Sequence, residues 1–279
     1  MLNFNGTFYQ EETFQITTAN RAFKYGDGIF ETIAVKNGRI VFWEDHYFRL
    51  MASMRMLRME IPMHFTLEYL EEEILNTVNT LPKTMKVRVR LSVYRKDGGL
   101  YTPLSNEVDY LIEVSKNNYE TKEVYKIDLY KDFYNYSGLL STVKTTNRML
   151  NTLASIYTQE NGLDNCVLIN ERKSVVEASN AAIFIIKDNQ IKTPALTEGC
   201  IKGIARKKII ELLTKNPNYC IEETEISPFE LQKADEVFLA NTIIGVQPVS
   251  QYRKKMYTKE IGKKIAASYN LEMVAGPSN

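Results

Sequence analysis

Segments with an apolar period of two and segments with a period of 3.6 follow one another along this chain without a regular strand–helix–strand beat, which narrows the fold to the α+β class. Leu2–Tyr9 alternates about Asn5-Gly6, and Gly28–Val35 runs into Asn37-Gly38 before Arg39–Trp43, so two hairpins are expected. Glu44–Arg58 carries Tyr47, Leu50, Met51, Met54 and Leu57 at helical spacing, its methionines read as core and edge packing. Thr66–Thr80 reads as a helix capped by Thr66. Lys86–Tyr94, where basic and apolar residues alternate, and Asp109–Ser115 read as half-buried strands joined through Asp97-Gly98-Gly99. The polar stretch Lys116–Glu123 has no period. The expected division is a small domain at 1–117, a linker at 118–123 and a larger domain at 124–279. Beyond the linker, Val124–Leu129, Val167–Asn170, Ala181–Ile186, Val237–Ala240 and Gly245–Tyr252 read as strands. Asn147–Glu160, Cys200–Leu213 and Tyr257–Tyr269 read as helices, and Ser227-Pro228 as a helix start.

Composition removes whole classes of function. With 35 Lys+Arg against 34 Asp+Glu, the chain has no field to draw it onto nucleic acid or an anionic membrane. Two histidines, His46 and His64, and three scattered cysteines (Cys166, Cys200, Cys220) make no zinc-site spacing. The odd cysteine number reads as reduced thiols in a cytoplasm. No basic-then-apolar leader opens the sequence and no run nears the ~18 apolar residues of a membrane span, so a cytoplasmic protein is expected. Chemistry is left to lysines, carboxylates, tyrosines or a bound organic cofactor.

Single motifs have ordinary readings. Gly26-Asp27-Gly28 lacks the third glycine of a dinucleotide loop and reads as a tight turn into a strand. His46, beside Glu44 and Asp45, reads as a surface or capping residue, and Arg206-Lys207-Lys208 as a solvated face. Lys144 ends an extended polar stretch just before a helix. It is either an exposed loop lysine or an amine facing a cleft, with Arg148 as the cation that lowers its pKa. Glu177 follows Val175-Val176, and a carboxylate buried there needs a cationic partner or a proton.

Four stretches in collinear order change this picture: Asn20–Leu50, Glu177–Ile186, Thr193–Leu212 and Glu236–Val249. Together with Lys144 they resemble the class IV aminotransferases, the fold-type IV pyridoxal 5'-phosphate (PLP) enzymes, over nearly the whole chain. The resemblance implies a two-domain, D-amino-acid aminotransferase-like α+β fold with PLP as cofactor, and a homodimer in which a partner loop covers the cofactor. It implies Lys144 as the lysine that attaches PLP and Glu177 as the carboxylate facing the pyridine nitrogen. Arg49, the N–H groups of Ile204 and Ala205, and Asn241 and Thr242 match the phosphate contacts, and Arg148 a group near the phenolic oxygen. The family's E-x-S-x-x-N has Ala182 here in place of asparagine, which weakens the support of Glu177, and Ala205 replaces a threonine.

Within the family, Phe30-Glu31-Thr32-Ile33 departs from the F-E-G-I of branched-chain aminotransferases. Phe30 replaces the carboxylate-binding tyrosine of D-amino-acid transaminases, and no histidine follows His64. Lys144-Thr145-Thr146-Asn147-Arg148 and Gly98-Gly99-Leu100-Tyr101 look like aminodeoxychorismate lyase, although the loop's arginine is missing. The resemblance therefore implies a lyase of 4-aminobenzoate and folate biosynthesis first and an aminotransferase for branched-chain or D-amino acids second. A catalytically silent relative is the non-enzymatic alternative. Phe30, Arg95, Lys96 and Tyr101 are expected near the substrate, with Arg95, Lys96 and Arg148 as partners for its carboxylates.

Overall fold

The computed structural model describes residues 1–82 and 86–275; residues 83–85, and 276–279 at the end of the larger expected domain, lie outside the described residues. Two compact units emerge, Met1–Asn118 with Lys144–Asn147, and Tyr119–Val143 with Arg148–Ala275. The lysine segment thus belongs to the first unit although the chain on either side of it belongs to the second.

The first unit holds six strands: β1 (Leu2–Phe4), β2 (Thr7–Tyr9), β3 (Gly28–Lys36), β4 (Arg39–Ile40), β5 (Val87–Arg95) and β6 (Val108–Lys116). They pair antiparallel in the order β2-β1-β6-β5-β3-β4. Its helices are α1 (Arg21–Tyr25), α2 (Trp43–Met56) and α3 (Leu67–Val78), the last capped by the Thr66 side chain, which accepts from Tyr69 N–H. Ile33, Val89, Leu91 and Val93 from the sheet and Leu50, Met54, Leu70 and Ile74 from α2 and α3 are buried as its core.

The second unit holds α4 (Met149–Glu160), α5 (Ile204–Thr214), α6 (Pro228–Lys233) and α7 (Glu260–Ala275). Its strands are β7 (Lys126–Leu129), β8 (Asn165–Ile169), β9 (Val175–Ala178), β10 (Ala182–Lys187), β11 (Gln190–Pro194), β12 (Cys220–Thr224), β13 (Glu236–Asn241), β14 (Gly245–Pro248), β15 (Gln251–Tyr252) and β16 (Lys255–Met256). Among the described residues they form two five-stranded sheets, β12-β11-β10-β13-β14 and β16-β15-β7-β8-β9. β8, β9 and β13 are almost wholly buried, the condition that a continuous apolar run satisfies. Phe184 stacks on Phe238 across β10 and β13 at 4.7 Å.

Some local expectations fail for physical reasons. Trp43 opens α2 rather than closing a strand, its indole N–H donating to Leu67 O at 3.1 Å. Cys200–Gly203 lies outside the helix, with Ile201 N–H donating to the Glu177 carboxylate and Lys202 N–H to Thr142 O. The last helix starts at Glu260, where the buried Glu236 carboxylate accepts from Ile261 and Gly262 N–H at 3.0 and 2.8 Å. Gly245–Tyr252 divides into β14 in one sheet and β15 in the other. The polar stretch after β6 is pinned by the fully buried Gln247, whose Oε1 accepts from Tyr119 O–H and Lys122 N–H and whose Nε2 donates to Lys122 O.

Candidate active site

In the first unit the turn at Gly26 is a docking point for the lysine segment. Asn20 caps α1 through Phe23 N–H, and Gly26 ends the helix at φ 60°, the left-handed region. The glycine is needed twice over, since an added Cβ would lie 2.2 Å from Asn147 Oδ1. Thr146 O–H and Asn147 Nδ2 both donate to Gly26 O, at 2.8 and 3.1 Å. Residues 144–146 then pair with the start of β3: Phe30 N–H donates to Lys144 O, Thr146 N–H to Gly28 O, and Ile29 bridges Thr145. Lys144 Nζ comes 4.5 Å from the centroid of the buried Phe30 ring.

Arg90 shares that ring, its guanidinium carbon 3.8 Å from the same centroid. Both distances end on one point, so Lys144 Nζ and Arg90 Cζ lie no more than about 8.3 Å apart (3.8 plus 4.5 Å). Arg90 donates to Ser92 Oγ at 3.2 Å and lies 3.7 Å from Glu113; burial works against its charge and Glu113 partly offsets that. Sequence reasoning does not single out this arginine. Its signal is strand parity, because Ser92 opposes Phe30 and Arg90, two residues on, shares its face.

On the next residue of β3 a second cluster forms. Glu31, buried inside the sheet, accepts from Arg49 Nε at 2.8 Å, from Arg49 Nη2, and from His46 Nδ1 at 2.7 Å. Burial pushes Glu31 up, but Arg49 and His46 together outweigh it and hold the carboxyl at about 2. His46 is fully buried, which corrects the surface reading; burial drives its pKa down, so it is the neutral imidazole donating to Glu31.

Three residues expected near the substrate have protein partners of their own. Arg95 is buried and donates to Asp27, Asn106, Arg58 O and Leu57 O, which makes it a clamp on the loop rather than an open cation. Lys96 pairs at the surface with Glu107 at 3.1 Å. Tyr101 is 90% exposed and packs at 5.6 Å on Tyr25. Arg21 reaches the same loop, donating to Gly98 O and Leu100 O while paired with Asp27.

The second unit carries the other residues. β9 pairs antiparallel with β8, Leu168 opposite Glu177, and buries the Glu177 side chain, whose Oε2 accepts Ile201 N–H at 3.0 Å. Next to it burial pushes the Cys200 thiol up to about 12, leaving a protonated neighbour. The end of the glutamate strand is tied from β8. Asn165 accepts from Ser179 N–H and O–H and donates to Asn180 Oδ1, so a polar anchor is present although position 182 is alanine. After Gly203, which offers no side-chain cap, α5 begins at Ile204, and Ile204 and Ala205 are buried there.

Asn241 is committed to the β13–β14 turn, its Oδ1 accepting from Ile243 and Ile244 N–H and its Nδ2 donating to Asn180 O; Thr242 lies buried beside it. Arg148 precedes α4 and donates to Val143 O at 2.9 Å. Arg206 is buried on α5, paired with Glu223 and Pro194 O, which corrects the solvated reading at that residue, while Lys207 stays exposed.

The sequence profile described as amino-transferase class IV matches residues 28–252. The chain belongs to the class IV aminotransferase family. A probable branched-chain-amino-acid aminotransferase of Aquifex aeolicus is 29% identical over 93% of this chain and 86% of its own length. An aminodeoxychorismate lyase of Vibrio harveyi is 27% identical over 84% and 86%. D-alanine aminotransferases match as well. The branched-chain aminotransferase of Thermoproteus uzoniensis, solved with norvaline, superposes with a TM-score of 0.90 at 22% identity, covering 98% of this chain and 94% of that one. Another branched-chain aminotransferase of the same fold was solved with pyridoxamine 5'-phosphate. The fold is that of the fold-type IV PLP enzymes, and the chain is a PLP-dependent enzyme of this family.

Taken unit by unit, the groups present suit that cofactor. The first unit offers an amine beside a buried ring and a guanidinium held by a carboxylate. The second offers a buried carboxylate and a helix start without a side-chain cap, the arrangement that suits a phosphate. Among the described residues no helix is long and apolar enough to cross a membrane.

Proposed function

We propose that this class IV enzyme is an aminodeoxychorismate lyase, converting 4-amino-4-deoxychorismate to 4-aminobenzoate and pyruvate. The observation that carries the reading is that Arg90 and Lys144 both lie against the Phe30 ring, so that a held cation shares that ring with the amine, where a dicarboxylate substrate needs a partner. The clamped loop at Gly98-Gly99 and the lysine segment ending in Asn147-Arg148 support it.

In this reading Lys144 attaches the cofactor, Glu177 faces its pyridine nitrogen, and Arg49, the N–H groups of Ile204 and Ala205, Thr242 and the backbone at Asn241 hold its phosphate. PLP, when bound, supplies the electron sink that makes the substrate carbon bearing the amine acidic. The Lys144 amine takes the proton from that carbon and is placed for it by the Phe30 N–H to Lys144 O bond. The C–O bond to the enolpyruvyl group breaks, the ring becomes aromatic, and a proton returned to the leaving enol carbon gives pyruvate. Glu177, whose Oε2 accepts Ile201 N–H, would hold the proton on the ring nitrogen. Phe30 gives the amine a water-poor face. Arg148 would stand near the phenolic oxygen, and the enzyme works in the cytoplasm as a homodimer.

The second reading, an aminotransferase for branched-chain or D-amino acids, is favoured by the Aquifex relative. Purified protein incubated with aminodeoxychorismate separates the two. Pyruvate and 4-aminobenzoate in equal amounts support the lyase; no pyruvate, with amino transfer from leucine or D-alanine to a keto acid, overturns it.

A further inference from the structure

We propose that Glu31 is the positioning residue for cofactor phosphate recognition, acting through Arg49 and braced by His46. This rests on reading Arg49 as a phosphate ligand. A carboxylate buried on a strand is costly, and an apolar residue of similar shape leaves a sheet no less stable. Glu31 is nonetheless engaged at both oxygens: Oε1 receives Arg49 Nε, and Oε2 receives Arg49 Nη2 and His46 Nδ1. The two parallel donations fix the plane of the guanidinium and take one edge of it. A flexible arginine loses rotamer entropy when it is ordered, and here that ordering precedes ligand binding.

His46 has a single role in this arrangement. Its Nε2 has no hydrogen-bond partner and is buried, so the imidazole reaches the cluster only through Nδ1 and stops the carboxylate from rotating away. Because Glu31 and Arg49 cancel in charge, the phosphate is recognised at this point by directed N–H groups rather than by net charge. Phe30 and Glu31 are neighbours on β3, so the amine cluster and the Glu31–Arg49 pair belong to opposite faces of the same strand.

The test compares two probes, PLP and pyridoxal, which lacks the phosphate, titrated into apoprotein of the wild type, Arg49→Ala, Glu31→Gln and the double variant. Arg49→Ala is expected to weaken PLP about 10–100-fold and leave pyridoxal unchanged, and Glu31→Gln to weaken PLP about 10-fold with pyridoxal again unchanged. In the double variant the Glu31 change is expected to add nothing to the Arg49 change. A merely structural role lowers both ligands together. If Arg49→Ala leaves the preference for PLP over pyridoxal intact, the reading of Arg49 itself fails. If it abolishes that preference while Glu31→Gln does not touch it, or weakens both ligands equally, the role of Glu31 is overturned and that of Arg49 stands. Should Glu31→Gln not fold, Glu31→Asp serves: shortening the fork is expected to cut the preference, and a preference equal to wild type overturns the proposal.

Discussion

Glu31 and His46 form a buried pair whose titration reaches into stability. Burial pushes Glu31 up and Arg49 and His46 pull it down further, from 4.5 to about 2, while burial holds His46 below 6.5. Both folded values lie below the unfolded ones, so the unfolded chain binds more protons on acidification. The His46 contribution is full above its unfolded value of 6.5 and is lost below it; the Glu31 contribution is full above 4.5 and is lost towards 2. Denaturant melts at stepped pH are expected to show stability falling in that order, with Glu31→Gln flattening the lower part; a profile rising on acidification contradicts this. Glu177→Gln is expected to lower turnover on the order of 10²-fold and leave PLP affinity within a few-fold, read by kinetics and cofactor titration side by side. Lys144 and Glu177 were legible as members of an ordered set of stretches. His46 was not, because Glu44 and Asp45 beside it imitate a surface, while its burial comes from a strand fifteen residues earlier in the chain. Arg90 was visible as one of the alternating basic residues of β5, but nothing local distinguishes it from Arg88. Only the pairing of β5 with β3 sets it on Phe30.

At the scale of elements, the joint between the Gly26 turn and residues 144–147 decides where the amine sits. Gly26→Ala puts a Cβ into Asn147 and a side chain at φ 60°. It is expected to cost roughly 1–3 kcal/mol of stability and to lower activity beyond that loss, measured as the melting shift and as turnover of the folded fraction. A folded variant with normal turnover contradicts the docking role. The tripeptide alone read as a bland turn, which it is, and its partner lies about 120 residues away along the chain. The strong periods gave β3, α2, α3, β10 and the start of α6 with boundaries close to those observed. β12 escaped, since an edge strand such as Cys220–Thr224 is mostly exposed and carries no buried alternation. Cys200–Gly203 read as helix because apolar spacing cannot show that Ile201 N–H bonds to a carboxylate on another strand.

At the scale of the whole molecule, the order of motifs fixed family and cofactor, while the proposal of elimination over amino transfer rests on a few side chains, chiefly Phe30 and Arg90, and on the loop that Arg21 and Arg95 hold through Leu100 O and Asn106. Near-neutral charge and scarce histidine leave the proton work to one amine, so the identity of that amine is the central claim. The direct measurement is borohydride reduction of the protein with PLP bound, followed by digestion and mass mapping of the modified peptide. The expected result is loss of the visible band and a pyridoxyl group on Lys144 alone, with Lys144→Ala showing neither. A pyridoxyl group on another lysine, or an unchanged band in Lys144→Ala, contradicts the assignment and with it the mechanism built on this residue.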